Sequence, residues 1–141
     1  MNKLEFNDIK FSDASKLALL DERVRAGFPS PTQGGMSDTI DLNREIIRNP
    51  SSTFCARVIG DSMIGYDIND GDLLIIDKSL PPCEGSIAVC FIDGDFTVKR
   101  IAIKNDGIYL TPGNSAYPNI KITEDANFQI WGIVSHIIKK V

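Results

Sequence analysis

Histidine is nearly absent from this sequence: His136 is the single one in 141 residues. A Ser-His-Asp triad would have to use it. Its neighbourhood, Val134-Ser135-His136-Ile137-Ile138, offers no triad partner, so His136 reads as a strand residue with a satisfied ring. Cysteine is scarce and odd in number. Cys55, Cys83 and Cys90 show no CxxC spacing, which fits neither a disulfide framework nor a zinc site and points to a reduced, cytoplasmic compartment. No apolar run approaches the roughly 18 residues of a membrane span, and the first ten residues lack a signal-peptide core. Basic residues are outnumbered, 15 Lys and Arg against 19 Asp and Glu, for a net charge of −4. Neither end of the chain therefore carries the electrostatic footprint of a nucleic-acid binder. Repeats, a Walker loop and a GxGxxG are also missing. Asp67-Ile68-Asn69-Asp70-Gly71 is no calcium loop, because its glycine comes one position early and Lys78 stands where a glutamate is needed. No cofactor or metal is expected.

What remains is an ordinary globular balance, 43% hydrophobic and 24% charged, enough for one domain with an arm. Leu17, Leu20 and Val24 recur at i, i+3 and i+7, which predicts a short helix capped by Ser12 or Asp13 and ended by Gly27. The stretch 28–35 holds Pro29, Pro31, Gly34 and Gly35 and reads as extended linker. A second short helix is predicted over 41–48, capped by Asp41 and stopped by Asn49-Pro50. No pair of helices joined by a tight turn is evident, so a helix-turn-helix is not expected. From Thr53 onward the pattern changes to short strands, at 54–59, 72–77, 86–92, 96–103 and 108–111, with one or two more within 128–138. Asp93-Gly94 is a two-residue hairpin signal. Strands without intervening helices predict a mainly β fold, an antiparallel, curled β domain.

Two residues carry chemistry. Ser62, in Gly60-Asp61-Ser62-Met63, is either a turn residue or a hydroxyl projected from a tight turn; it is not the GxSxG elbow, since Gly65 comes one position late. Lys99 shares a strand face with Ile101 and Ile103. It either snorkels to water or sits at an apolar surface, where desolvation lowers its pKa and frees it to take a proton. Serine paired with a neutral lysine is a known alternative to serine with histidine.

Gly60-Asp61-Ser62-Met63, Asp70-Gly71-Asp72-Leu73-Leu74-Ile75 and Phe96-Thr97-Val98-Lys99-Arg100 resemble, in that order, the UmuD branch of the LexA-type self-cleaving serine peptidases. Gly27-Phe28-Pro29-Ser30-Pro31, Ile40-Asp41-Leu42-Asn43 and Pro112-Asn114-Ser115-Ala116-Tyr117 extend the resemblance, which runs from about residue 22 onward. It implies a curled β domain of the LexA and signal-peptidase type with an extended N-terminal arm, usually as a homodimer. It implies Ser62 as nucleophile, Lys99 as general base and cleavage of the Ala26-Gly27 bond. Here the UmuD branch has Cys-Gly, whereas Ala-Gly is the dipeptide of LexA-type repressors. Backbone N–H groups of Asp61 and Ser62 would stabilise the oxyanion.

The organisation expected is an arm removed by self-cleavage (1–26), a linker with a short helix (27–50) and a β peptidase domain (51–141). The function implied is an SOS-mutagenesis accessory protein, stimulated by a RecA-type filament on single-stranded DNA. Its short form would serve a Y-family polymerase in translesion synthesis, without sequence-specific DNA binding and without a membrane. The alternatives are a LexA-like repressor derivative and a non-catalytic interaction subunit; a signal-peptidase relative would need a membrane anchor.

Overall fold

The computed structural model describes residues 3–8, 16–20, 36–61, 63–123 and 127–141. The elements are β1 (Lys3–Asp8), β2 (Lys16–Leu20), β3 (Met36–Asp41), α1 (Leu42–Ile46), β4 (Thr53–Ile59), β5 (Leu73–Asp77), β6 (Ile87–Ile92), β7 (Asp95–Lys104), β8 (Gly107–Thr111), β9 (Ile120–Lys121) and β10 (Phe128–Ile138). The chain forms two compact units. One comprises Met1–Ile9 with Asn49–Val141, the other Lys10–Arg48.

In the first unit, an eight-stranded, curled antiparallel sheet runs in the order β1-β4-β5-β10-β6-β7-β8-β9. The fold is thus the mainly β class that the strand pattern predicts. Asp93 and Gly94 both adopt positive φ, at 48° and 91°, as a two-residue hairpin between β6 and β7 requires. Successive residues along a strand face opposite sides, and each side of the sheet has its own apolar cluster. Ala56, Val58, Met63, Ile68, Leu74, Ile76, Val89 and Val98 form one. Ala88, Cys90, Ile101, Leu110 and Ile133 form the other. β10 runs between β5 and β6 with register shifts on both sides, so one long strand, rather than two, serves both neighbours.

In the second unit β2 and β3 pair antiparallel, Leu17 opposite Ile40. The helix expected at Leu17 and Leu20 is therefore a strand. Lys16-Leu17-Ala18-Leu19-Leu20 is a short apolar run that fits either period, and cross-strand pairing with β3 decides it. Val24, the expected cap at Ser12 or Asp13, the linker 28–35 and the Ala26-Gly27 bond lie outside the described residues, as does Ser62. α1 is capped by Asp41, whose carboxylate accepts from the Asn43 N–H at 3.1 Å.

Beyond α1, Asn49 begins a polar lock at the end of β5. The buried Asp77 carboxylate accepts from Asn49 Nδ2 (2.9 Å), Ser52 Oγ (2.9 Å), the Ser79 N–H (2.8 Å) and Ser79 Oγ (2.6 Å). Burial pushes this carboxyl up, but the hydrogen bonds from Asn49, Ser79 and Ser52 outweigh it and hold the pKa at about 2. A carboxyl depressed in the fold contributes stability above its unfolded value and loses it as pH falls through the folded one. Between about pH 4 and about pH 2 the protein is expected to lose about 2 kcal/mol from this group alone. Asp77→Asn should flatten that segment of a urea-midpoint against pH curve. An unchanged slope in the variant would remove Asp77 as its source.

Candidate active site

Lys99 lies in β7 opposite Ala88 of β6, with 8% of its surface exposed. Strand alternation gives it the face of Ile101 and Cys90, whereas the neighbouring Arg100 is exposed and lies over the Tyr66 ring at 5.0 Å. Among the described residues no carboxylate forms an ion pair with Lys99. Burial therefore pulls its pKa below the ordinary lysine value, and the Cys90 sulfur would oppose this only as a thiolate. Cys90 itself is pushed up to about 12 by burial, so it is a neutral thiol at physiological pH and adds no countercharge. Lys99 Nζ lies 6.0 Å from the centroid of the Tyr117 ring, the outer limit of a cation–π contact.

Tyr117 also bonds Asp61, the residue that precedes Ser62 in sequence. Its hydroxyl donates to Asp61 Oδ1 at 3.0 Å, which holds the phenol above its usual pKa. Asn114 Nδ2 donates to the Asp61 carbonyl at 3.2 Å, and the Ile64 N–H donates to the same oxygen at 3.2 Å. On the other side of Ser62, Met63 is fully buried in the first cluster, and its carbonyl accepts from the Tyr66 and Ile68 N–H groups. Gly60, at φ 113°, donates its N–H to Asp70 Oδ1. The residues on both sides of Ser62 are thus fixed by backbone and side-chain bonds.

The glycines make this close approach possible. A Cβ on Gly65 would come within 1.8 Å of the Gly113 carbonyl oxygen, and one on Gly113 within 2.9 Å of the Met63 carbonyl carbon and the Tyr66 nitrogen. Those neighbours are backbone and cannot swing aside, so the 60–66 turn and the 112–117 loop pack main chain against main chain. The Tyr66 hydroxyl bonds Thr111 Oγ1 at 2.9 Å alongside.

Sequence reasoning selected Ser62, Lys99 and Asp61 but gave no role to Asn114, Tyr117, Gly65 or Gly113. Their signal was present: Gly113-Asn114 is a turn pair, and Asn114 closes that turn by accepting from the Ala116 N–H at 2.9 Å. Nothing in the spacing, however, links it to a residue 53 positions away. His136 is exposed on β10 with Nδ1 3.0 Å from Ser135 Oγ, a local contact only. No group of metal-ligating side chains occurs among the described residues, and no helix there is long and apolar enough to cross a membrane.

Comparison with known proteins identifies the family. Residues 18–135 match the family described as peptidase S24-like. The chain is 43% identical to protein SamA of Salmonella typhimurium over 126 residues, covering 89% of this chain and 87% of SamA. It is 41% identical to protein MucA of Escherichia coli over 116 residues, covering 82% and 79%. To protein ImpA of Escherichia coli it is 36% identical over 122 residues, covering 86% and 83%. A family match across most of the chain, joined to relatives alike over nearly their whole lengths, makes this protein a UmuD-type member of the peptidase S24-like family.

Proposed function

We propose that this protein is a self-cleaving serine peptidase of the SOS response that cuts its own Ala26-Gly27 bond with a Ser62–Lys99 dyad. The observation that carries the reading is the buried Lys99 amine, 6.0 Å from the ring of a tyrosine that is bonded to the residue preceding Ser62. A lysine in water, with a pKa near 10.4, holds almost no free base at neutral pH; a desolvated one holds more.

In this reading neutral Lys99 takes the proton from Ser62 Oγ as the oxygen attacks the Ala26 carbonyl carbon. The backbone N–H groups of Asp61 and Ser62 receive the developing oxyanion. Lys99 then gives its proton to the Gly27 nitrogen, the C–N bond breaks, and Ala26 remains as an ester on Ser62. Water, deprotonated by Lys99, hydrolyses that ester and restores both groups. Ala26 suits a shallow pocket, and Gly27 permits close backbone approach.

The product, 27–141, keeps both dyad residues. In this reading it acts in the cytoplasm as a homodimeric accessory subunit of a Y-family translesion polymerase, after a RecA-type filament has stimulated the cut. The likeness to SamA, MucA and ImpA over about four-fifths or more of their lengths, against 49% of a LexA repressor that is also 36% identical, supports this reading over a LexA-like repressor derivative.

Two outcomes test it. Spontaneous cleavage of the purified protein, followed by mass, should rise with pH and level off once Lys99 is neutral. Ser62→Ala, Lys99→Ala and Lys99→Arg should each lower the rate by about 10³-fold or more, and the double alanine variant should be no worse than either single one. Because a buried amine costs stability, Lys99→Met should unfold at the same or a higher urea concentration than wild type. Substantial cleavage by folded Lys99→Ala would assign the base elsewhere, and a protein that never cleaves would leave the non-catalytic interaction subunit. Secondly, N-terminal sequencing of the large fragment should begin at Gly27; any other start refutes the assigned bond.

A further inference from the structure

β1 stands at one end of the strand order, and its neighbour in the sheet is β4. The pairing is antiparallel and covers all six residues of β1, from Lys3 opposite Ile59 to Asp8 opposite Phe54. Val58 of β4 turns both of its backbone groups the other way. Its N–H donates to the Asp72 carbonyl at 2.9 Å, and its carbonyl accepts from the Gly71 N–H at 2.8 Å. Alternate residues of an antiparallel ladder face alternate neighbours, so Cys55, Arg57 and Ile59 turn their backbone groups toward β1. There the register sets Asn7, Glu5 and Lys3 against them.

The side chains define what fits this edge. Leu4 stands opposite Val58 and packs on the first core cluster, while Phe6 occupies the position opposite Ala56. Val58 and Ala56 are fully buried. Glu5, between them, is exposed and stands opposite the exposed Arg57. The β4 edge therefore accepts an extended segment with apolar residues at two alternate positions and an acidic residue between them.

The covalent path from β1 to β4 runs through Ala26-Gly27. A tethered strand is held at an effective concentration on the order of millimolar. A cut at Ala26-Gly27 removes the tether and leaves the 1–26 segment held by strand pairing alone, β1 on β4 and β2 on β3, so β4 is uncapped when the segment dissociates. We propose that cleavage uncaps β4, and that the opened edge then takes a strand of this pattern from a protein partner by β-addition. The trigger rests on the proposed self-cleavage; the edge and its sequence preference do not. An open edge of this length offers unpaired N–H and C=O groups to any extended chain, and pairing supplies affinity while the alternate side chains supply selectivity.

The experiment uses amide hydrogen exchange on the full chain carrying Ser62→Ala, on the same chain carrying Glu5→Pro as well, and on the self-cleaved wild type at micromolar concentration. Glu5→Pro removes a ladder donor and detaches β1 without any cut. The Cys55, Arg57 and Ile59 amides should exchange slowly in the first sample and at least about 10-fold faster in the other two. The amides of Ala56 and Val58, which face β5, should stay protected throughout and so distinguish detachment from unfolding. A synthetic peptide of residues 1–10 should restore slow exchange saturably, and the same peptide with lysine in place of Leu4 and Phe6 should not.

If the wild type fails to cut, the reading of the dyad falls, while the Glu5→Pro sample still reports on the edge. Unchanged protection after β1 is detached, or no effect of the peptide, overturns the proposal. So does protection in the cleaved protein that returns with its own concentration, which would assign the edge to a second copy.

Discussion

Burial of one amine is the constraint around which the candidate site is built. Lys99 occupies a position that strand alternation assigns to Ile101 and Cys90, on a face the sheet keeps dry. An ammonium there loses hydration, and the described residues offer it no carboxylate in return. The fold tolerates the residue because lysine can lose its charge, which arginine at the same position could not do. What is unfavourable for stability is the property general-base chemistry needs, and this is why perturbed titrating groups concentrate at functional sites. Cys90 fits this reasoning. As a thiolate it would neutralise Lys99 and keep the amine protonated, but burial holds it as a thiol.

A buried base has value only if its partner is held nearby, and in the proposed dyad the residues before and after Ser62 are the ones fixed in place. Asp61 is bonded through both its side chain and its carbonyl, and Met63 is sunk into the core. The Gly65–Gly113 approach allows no side chain at either position. Fixing two glycines in this way costs backbone entropy, which the surrounding hydrogen bonds and the burial of Met63 offset. Tyr117 lies between base and turn, since one side chain stands near the amine and bonds Asp61.

The legible part of the fold was the part governed by local rules. The Asp93-Gly94 hairpin, the Asp41 cap and the strands from β4 to β8 follow from turn chemistry and period-two patterning. The face of Lys99 was legible from one strand, but its burial was not, because the pattern fits a lysine that snorkels to water as well as a buried one. The run at Leu17 to Leu20 was misread, since a five-residue apolar stretch carries both periods and only its pairing with β3 separates them. β1 was not anticipated either. Six residues of mixed polarity become a strand because β4 presents an edge to them, a reason that lies some fifty residues away in the chain. The clamp by Asn114 and Tyr117 is non-local in the same sense.

In the proposed reaction, the chain that links β1 to β4 is also the substrate. While it is intact, intramolecular attachment raises the local concentration of the Ala26-Gly27 bond at the dyad and of β1 at the β4 edge. Hydrolysis removes the covalent tether and leaves the cut segment held by strand pairing alone, β1 on β4 and β2 on β3. Neither effect of attachment depends on rearranging the two apolar clusters, whose residues lie on β4 to β8, on β10 and in the turn after β4, beyond the cut in sequence. The change that cleavage brings about is thus a change of tether. Packed cores resist graded deformation, whereas loss of a tether acts on an edge strand without asking the core to move. A peptidase that acts once on itself can therefore alter its binding surface while the structure that carries it stays the same.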